Sequence, residues 1–388
     1  MTRMGGMTKK KDSQHYEQYL LRGKLRKAGS QRIRYVFNGV NRETNTERTF
    51  FIEIILVNPA VSPVKPVVYC ENSAAGSADE SPDTLYGKKT IAAQVQPQSY
   101  VLLKAGSYGP QAQQFKRYYS LKDFIRQKGQ NGYKIGNCIF GINVLAGSVV
   151  VGQNDLLEHP ELDCAAGSIS WEVRFDQKIH ANPLYKKHGL CWTASGVKTL
   201  FSGTIRMSGL EYAVVPKKSF GYIDRFWAPD FVQPFFHLSS SHLVSIINGN
   251  PLQKSCLALG GEFGGSLTAF LMLEGQVLPV QKRWFLEKWN EVHHFSQVPA
   301  DADGEKLHWS VSIHKKNFVV DIDVFCKSDE MLVQGCDMLQ AGRDSMHIVS
   351  GGSGFGEIRI YKKMGKSLEL LEDARIESAL CEYGAKIQ

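Results

Sequence analysis

Residues 169–175 read ISWEVRF, and this stretch decides the fold class. The apolar residues Ile, Trp, Val and Phe alternate with the polar residues Ser, Glu and Arg. Successive side chains of a β-strand point to opposite faces, so this alternation is typical of a strand with one dry and one solvated side. The stretch therefore predicts a sheet that buries one of its faces.

The same two-residue period recurs along the chain. It appears in segments that are rich in β-branched and aromatic residues and bounded by turn formers: residues 33–40, 50–57, 91–104, 204–215, 307–314, 318–325 and 357–363. Helical periodicity is confined to residues 121–127 and 368–381, and the second of these segments also fits a closing strand. Residues 71–88 and 105–128 are predicted to be surface loops. Many strands with few helices predict an all-β fold of antiparallel sandwiches or barrels.

The domain organisation follows from length and from a break near residue 215. With 388 residues the chain is long for one domain, and an aromatic-rich segment begins after residues 213–218. We expect a basic tail over residues 1–14, a β-barrel over residues 15–214 and a second β-barrel over residues 215–388. One large closed sheet system is the alternative.

Charge and composition exclude several protein classes. The formal charge of +8 is spread along the chain with no nucleic-acid reader motif, so no nucleic-acid partner is expected. No apolar run is long enough for a membrane helix, and no secretory signal is recognisable, which predicts a cytoplasmic protein. The eight cysteines have no C-x-x-C spacing, so we expect reduced thiols and neither a zinc site nor a redox pair. Nothing indicates an obligate protein partner.

Other candidate motifs have simpler explanations. The glycine-rich residues 351–356 precede a strand and not a helix, so a hairpin turn is favoured over a nucleotide-binding loop. Residues 260–265 are read in the same way, as a turn or bulge. His293 and His294 are adjacent and would point to opposite faces of a strand, which disfavours a shared metal ion. No metal and no cofactor are predicted.

Residues 219–243 (SFGYIDRFWAPDFVQPFFHLSSSHL) carry the candidate chemistry. If residues 219–226 are extended, Tyr222, Asp224 and Phe226 share one face. An apolar environment would raise the pKa of Asp224 and keep the carboxyl group protonated, as a general acid requires. Aromatic rings nearby could stabilise a carbocation. The alternative is an ion pair between Asp224 and Arg225 at a rim.

At these residues the sequence resembles the tocopherol cyclase family, which is related to lipocalin-like carotenoid hydratases. The family pattern Tyr-x-Glu-x-x-Trp is matched by Tyr222, Asp224 and Trp227, and the aromatic positions that follow are matched by Phe231, Phe235, Phe236 and His237. Residues 53–63, 170–172 and 356–361 resemble three further family strands, so the resemblance runs in order from about residue 16 to the end.

The resemblance implies two lipocalin-like β-barrels in tandem and a cofactor-free, acid-initiated cyclisation. Asp224 would protonate an isoprenoid double bond, Tyr222 would orient the substrate, and the aromatic side chains would form the walls of the site. Substrate-lining residues would be Trp227, Phe231, Phe235, Phe236, His237 and Trp171. The partner would be a lipophilic small molecule such as a prenylated quinol, collected through a peripheral membrane contact.

Departures from the family pattern keep a second function open. The family Glu is Asp224 here, one methylene shorter, and the family's second tryptophan is His237. The chain is therefore expected to be an isomerase-like enzyme that cyclises or hydrates an isoprenoid. The alternative is a non-catalytic, lipocalin-like binding protein for a hydrophobic ligand.

Overall fold

The structure is a computed structural model that describes residues 30–57, 99–127, 132–187, 190–216, 220–228, 235–261, 267–278, 290–335 and 346–386. Nearly all of these residues lie in antiparallel strands. The strands of the first sheet are β1 (Ser30–Asn41), β2 (Glu47–Val57), β3 (Tyr100–Tyr108), β4 (Gln113–Tyr119), β5 (Phe124–Gln127), β6 (Gly132–Ile135), β7 (Cys138–Phe140), β8 (Val144–Val151), β9 (Gly167–Lys187), β10 (Leu190–Met207), β11 (Leu210–Val214) and β12 (Gly221–Ala228).

The second sheet follows in the chain. Its strands are β13 (Phe235–Ser245), β14 (Cys256–Gly261), β15 (Leu267–Leu273), β16 (Gln276–Leu278), β17 (Asn290–Asp301), β18 (Gly304–His314), β19 (Phe318–Lys327), β20 (Leu332–Gly335), β21 (Met346–Met364) and β22 (Ser367–Lys386). Within the described ranges there is one short α-helix, α1 (Gln153–Glu158), with 3-10 turns at Leu121–Asp123, Pro160–Leu162 and Ser328–Glu330. The predicted all-β tandem fold is confirmed.

The first sheet closes into a barrel around an apolar interior. Its strands follow the order β4-β3-β2-β1-β11-β10-β9-β8-β7-β6-β5, and β4 curls round to lie against β8. Close to this seam the Ala165 N–H donates to the Gln114 carbonyl oxygen at 2.9 Å. The predicted alternation in residues 169–175 is confirmed, because the apolar positions of this stretch are buried in the barrel and the polar ones are not.

The second sheet has the order β16-β15-β14-β13-β22-β21-β19-β18-β17, and β20 pairs with β21. It has its own apolar core, which includes Trp309 and Ile376. A third apolar cluster lies between the two sheets and contains Tyr222 and Trp192 from the first sheet with Leu380 from the second. The two sheets therefore pack on each other through a shared layer of side chains.

The position of β12 differs from the predicted domain division after residue 214. β12 pairs with β1 and β10 and so belongs to the first sheet. β11 pairs with the same two strands, so β11 and β12 follow one another between β1 and β10. The chain thus changes sheets after β12, between residues 228 and 235. This places Tyr222 and Asp224 on the first sheet.

Two local predictions are wrong. Residues 121–127 are not a helix, because one 3-10 turn, Leu121–Asp123, leads directly into β5, which pairs with β6. Residues 105–128 are not a loop, because β3 and β4 form a hairpin there. A few helix-compatible residues cannot offset the cost of helix nucleation when a cross-strand partner is at hand. For residues 368–381 the strand alternative is confirmed by β22. Residues 1–14, 71–88 and 91–98 lie outside the described residues.

The glycine-rich residues 351–356 are not a hairpin turn either. They lie inside β21, where the pairing with β22 shifts its register twice. A Cβ atom on Gly352 would come within 2.5 Å of the Thr49 methyl group and 2.6 Å of the Tyr108 ring, both on the first sheet. The glycine allows the two sheets to approach closely, which is a role that a bulged strand often has.

No helix within the described ranges is long and apolar enough to cross a membrane.

A buried charged cluster between the two sheets

Asp224 lies in the middle of β12, on the face that the first barrel turns toward the second sheet. Tyr222, Asp224 and Phe226 share this face, as the alternation predicted, and Tyr222 and Asp224 are completely buried. Ile223 lies on the opposite face and belongs to the interior of the barrel. Asp224 is therefore outside the barrel lumen, at the junction of the two sheets.

The carboxylate of Asp224 is held by a set of hydrogen-bond donors. Arg34 donates from Nε to Oδ1 at 3.2 Å and from Nη2 to Oδ2 at 2.8 Å, a two-pronged contact that fixes the carboxylate plane. Oδ2 also accepts from Trp192 Nε1 at 3.3 Å and from the Tyr222 hydroxyl at 3.2 Å. Arg32 adds a second positive charge 3.7 Å away.

These donors determine the protonation state of Asp224. Burial alone would raise the pKa of this carboxyl group, but the charges of Arg34 and Arg32 outweigh burial and lower the pKa to about 2. The predicted protonated general acid is therefore wrong for this state of the protein: Asp224 is an anion at neutral pH. The alternative, an ion pair between Asp224 and Arg225 at a rim, is also wrong, because Asp224 is completely buried and Arg34 faces it across the sheet.

Arg34 connects the two sheets electrostatically. Its side chain is 0% exposed, and its Nη1 lies 2.5 Å from Glu382 Oε2 on β22 of the second sheet. Burial would lower the pKa of Arg34, but Asp224, Glu382 and Glu53 raise it well above its usual value. One guanidinium group thus neutralises a carboxylate from each sheet.

Arg34 also belongs to a row of charged side chains that crosses neighbouring strands. In the sheet register Arg34 lies opposite Asp224 on one side and opposite Glu53 on the other. Glu53 in turn lies opposite Lys104, and their side chains form an ion pair at 3.3 Å. All four residues are buried, and their charges alternate in sign along the row. Opposite charges at directly opposed strand positions attract each other, which stabilises the pairing.

A chain of hydroxyl groups extends the cluster at Glu382. Ser350 donates to Glu382 Oε1 at 3.0 Å, and the hydroxyl oxygens of Ser350 and Tyr108 lie 2.8 Å apart. Because the Ser350 hydrogen is directed at Glu382, Tyr108 is the donor to Ser350. Burial, together with the negative charge of Glu382, raises the pKa of Tyr108 well above its usual value. Tyr108 therefore stays protonated and acts as a hydrogen-bond donor.

His237 completes the cluster from the second sheet. Its ring centroid lies 5.5 Å from those of Trp192 and Tyr222, and its Nε2 is 3.2 Å from Ser239 Oγ. Burial and the charge of Arg34 lower the pKa of His237 well below its usual value, so the ring is neutral at pH 7. Burial and the charge of Asp224 raise the pKa of Tyr222, which stays protonated. The junction thus places a neutral imidazole and two neutral phenols around Arg34 and the two carboxylates that pair with it.

The structure separates the other predicted site residues from Asp224. Phe236 points away from the junction into the core of the second sheet, next to His293. Trp227 follows Phe226 and so lies on the barrel side of β12, and Trp171 packs against Phe140 inside the barrel. Phe231 and the side chain of Phe235 lie outside the described residues. Of the predicted residues, Asp224, Tyr222 and His237 come together.

The prediction missed Arg34, Trp192 and Glu382, the residues that set the chemistry of the cluster. A signal for the charged ones was present in the sequence. Arg34, Glu53, Lys104 and Glu382 each have an apolar or aromatic residue on both sides within a strand. Lys, Arg, Glu and Asp are almost never fully buried unless they are paired, so such lone charges should be expected to find one another.

Metal binding has no geometric support in the ranges that the structure describes. There, no three His, Cys, Asp or Glu side chains are arranged as ligands of one ion. The six cysteines of these ranges are free thiols: Cys138, Cys164, Cys191, Cys256, Cys326 and Cys381.

Comparison with known proteins adds little to this description. No protein-family model matches the sequence, and no curated protein matches it significantly. Among solved structures, the chain is similar to a candidate AttH protein from Nitrosomonas europaea, with a TM-score of 0.47 and 11% sequence identity. The similarity covers 92% of this chain and 93% of that one.

Proposed function

We propose that this chain is a tocopherol cyclase-like binding protein for a lipophilic isoprenoid, and that Asp224 anchors the polar head of the ligand at the junction of the two sheets. The observation that carries the proposal is the ionised carboxylate of Asp224, fixed by Arg34 among the rings of Trp192, Tyr222 and His237. Ligand sites are frequent between packed units, where a few fixed polar groups orient a largely apolar molecule.

The protonation state of Asp224 favours a ligand that donates hydrogen bonds. A carboxylate with a pKa of about 2 accepts hydrogen bonds and does not donate them at neutral pH. Oδ2 receives three hydrogen bonds from described residues, whereas Oδ1 receives one, from Arg34. Oδ1 therefore keeps a lone pair, which a ligand would reach only in a bound state that opens the completely buried junction. The hydroxyl group of a prenylated quinol is a donor of the required kind.

Acid-initiated cyclisation or hydration is the second candidate. It is favoured by the convergence of Tyr222, Asp224 and His237 in one buried cluster, because titratable groups with perturbed pKa values concentrate at catalytic sites. In this state the carboxylate lacks the proton that it would have to give to an alkene. The catalytic candidate thus requires a ligand-bound state in which Arg34 no longer pairs with Asp224.

A binding assay with matched ligands tests the first proposal. The quenching of tryptophan fluorescence, to which Trp192 contributes, would be titrated with a prenylated quinol and with its dimethyl ether, which has no hydroxyl hydrogen. We expect the ether to bind at least about tenfold more weakly, as the loss of a charge-assisted hydrogen bond predicts. Asp224→Asn should remove this preference, while the control Arg375→Ala, on the exposed face of β22, should keep it. Equal affinity for the quinol and its ether, or no binding of either, would overturn the proposal.

Product analysis separates the two candidates. The protein would be incubated with the quinol, and the mixture examined by mass spectrometry for a chromanol or a hydrated product. Binding without turnover supports the binding protein. Turnover that is lost in Asp224→Asn but retained in Arg375→Ala would replace it with the enzyme. Circular dichroism of each variant confirms that the protein is folded.

The proposal also covers where in the cell the protein acts. A cytoplasmic protein with a lipophilic ligand would collect that ligand by touching a membrane surface. Co-sedimentation with lipid vesicles, with and without the quinol dissolved in them, measures this contact.

A further inference from the structure

One end of the second sheet presents exposed aliphatic side chains. At this end β21 turns back into β22 between Met364 and Ser367, which lie opposite each other in the sheet register. Met364, Leu368 and Leu370 expose 51%, 53% and 44% of their surface. Single exposed aliphatic residues are ordinary on a protein surface, but a group of them in one place marks an interaction surface.

The turn between β13 and β14 brings two isoleucines to the same end of the sheet. Ile246 and Ile247 expose 50% and 58% of their surface. The Ile246 N–H donates to the Asp373 carbonyl oxygen at 2.7 Å, which holds this turn against the beginning of β22. We call the five exposed side chains the apolar tip: Ile246, Ile247, Met364, Leu368 and Leu370.

The hairpin of β21 and β22 also carries lysines. Lys362 and Lys366 are exposed, and Lys363 lies directly opposite Leu368 in the register. Glu369 lies opposite Lys362 and is the one acidic residue of the range 361–370. The hairpin therefore combines an excess of positive charge with the leucines of the apolar tip.

The turn between β18 and β19 adds positive charge beside the hairpin. Lys316 is exposed in this turn, and the Lys363 N–H donates to the Asn317 carbonyl oxygen at 2.9 Å. Residues 314–318 and 361–370 together hold five lysines and one glutamate, so their formal charge is 5 − 1 = +4. The next carboxylates along β22, those of Glu372 and Asp373, are bonded within the second sheet.

We propose that this end of the second sheet docks on a membrane surface that contains anionic lipids, with the apolar tip inserted among the headgroups and the lysines on the lipid phosphates. Insertion of aliphatic side chains removes their surface from water, and nearby lysines add attraction to a negatively charged leaflet. The aliphatic part of a lysine side chain can lie along apolar surface while its ammonium group stays at the level of the headgroups.

The apolar tip favours a lipid surface over the other common polyanion, a nucleic acid. RNA phosphates would attract the same lysines, but a phosphate backbone gives five aliphatic side chains no apolar layer to enter. The assignment rests on the membrane contact proposed above and states which surface makes it. It does not depend on the binding of a quinol at Asp224.

Vesicle co-sedimentation of the full chain tests the proposal in the absence of any quinol. Vesicles of phosphatidylcholine mixed with phosphatidylserine should bind the protein at least about tenfold more tightly than vesicles of phosphatidylcholine alone. High salt should weaken this binding, because it screens the attraction of the lysines. Absence of binding to both kinds of vesicle would overturn this assignment and the membrane contact together, while the quinol titration would still decide the function of Asp224.

A double variant tests the apolar tip. Leu368→Ser with Leu370→Ser should weaken binding to the mixed vesicles at least about tenfold, since two aliphatic side chains no longer enter the lipid. Ile247→Ser, in a separate turn, should weaken it severalfold and decides the question if the leucine pair disturbs folding. The matched control is Val150→Ser with Leu157→Ser, which removes two exposed aliphatic side chains from the part of the chain that forms the first sheet.

A charge reversal tests the lysines. Lys316→Glu with Lys366→Glu should weaken binding to the mixed vesicles at least about tenfold and leave the weak binding to phosphatidylcholine alone unchanged. The control, Lys122→Glu with Lys134→Glu, makes the same change of charge at exposed positions of the first sheet region and should keep the affinity of the wild type.

Three results would contradict the assignment. Vesicle binding that persists in both tip variants would move the membrane contact to another surface of the protein. Equal losses in the control variants would show that total charge and apolar content, and not this end of the sheet, determine the binding. Single-stranded RNA that binds as tightly as the mixed vesicles, together with unchanged vesicle binding in the leucine pair, would show a general site for polyanions.

Discussion

The two faces of β12 are both buried, but by different kinds of interaction. Toward the second sheet the strand presents Tyr222 and Asp224 to a network of charges and hydroxyl groups, whereas toward the barrel it presents Ile223 to an apolar interior. Apolar packing tolerates many arrangements of similar volume, while a buried charge needs its partner at one position. The comparison indicates that the barrel interior contributes stability and that the junction fixes how the two sheets meet.

Removal of the shared cation should have the largest effect. Arg34→Met keeps much of the side-chain volume but leaves Asp224 and Glu382 buried without their cation, and we expect the free energy of unfolding to fall by about 4 kcal/mol. Urea denaturation measures this change.

A triple variant sharpens the same test. Adding Asp224→Asn and Glu382→Gln to Arg34→Met removes the uncompensated charges, so at least half of the lost stability should return. If the triple variant is no more stable than Arg34→Met, the loss comes from packing and the junction is not primarily electrostatic.

A cavity in the barrel interior gives the matched perturbation of the other face. Phe201 packs against Phe37 with ring centroids 4.9 Å apart and against Phe175 at 5.8 Å. Phe201→Ala should lower the free energy of unfolding by about 3 kcal/mol, and Phe201→Leu, which leaves a smaller cavity, by less. Unlike the loss in Arg34→Met, neither loss should be restored when Asp224→Asn and Glu382→Gln are added. Recovery of stability on adding these two changes would contradict the contrast drawn between the two faces.

Acid should weaken the junction selectively. The pKa of Asp224 is lowered from 3.8 to about 2, so the folded state binds this proton less readily than the unfolded state does. The resulting stabilisation, about 2 kcal/mol, is present above pH 4 and is lost as the pH falls from 4 to 2. The free energy of unfolding, measured from pH 5 to pH 2.5, should therefore fall more steeply for the wild type than for Asp224→Asn. Parallel curves would show that Asp224 is not the group responsible.

The smallest effect is expected at Tyr133, which contacts Arg225 on the barrel side of β12. Tyr133→Phe removes one hydrogen bond from Arg225 and leaves the ring stacking intact, so thermal or chemical unfolding should show a loss of only about 1 kcal/mol. A loss as large as that of Arg34→Met would mean that the charges on both sides of β12 have the same structural role.

The fold was predictable to a greater extent than the site. The alternation in residues 169–175 identified a half-buried strand correctly, and the same reading placed Tyr222 and Asp224 on one face. Strand pairing, however, is a tertiary property. Arg34 and Asp224 are 190 positions apart, and no local pattern indicates that β12 would be inserted between β1 and β10. The pKa of Asp224 was therefore expected to be raised, whereas Arg34 and Arg32 lower it.

The wrong predictions of local structure, for residues 121–127 and 351–356, have a related cause. Residues 121–127 form part of a sheet because β6 offers them a partner, and residues 351–356 continue through a strand because Gly352 lies against Thr49 and Tyr108 of the other sheet. In both cases the deciding contact is distant in the chain. Charged residues with apolar neighbours on both sides in a strand, such as Glu53 and Lys104, were the local signal that pointed to the cluster.

The ion pair between Arg34 and Glu382 has a consequence for how this chain can change over evolutionary time. The two sheets resemble separate modules, yet the carboxylate of Glu382 in one of them finds its guanidinium group in the other. Either sheet produced alone would carry a charge, Arg34 or Glu382, whose ion-pair partner lies on the other sheet. The two halves are therefore expected to change together, and a change at position 34 is constrained by Glu382, which is encoded far from it in the sequence.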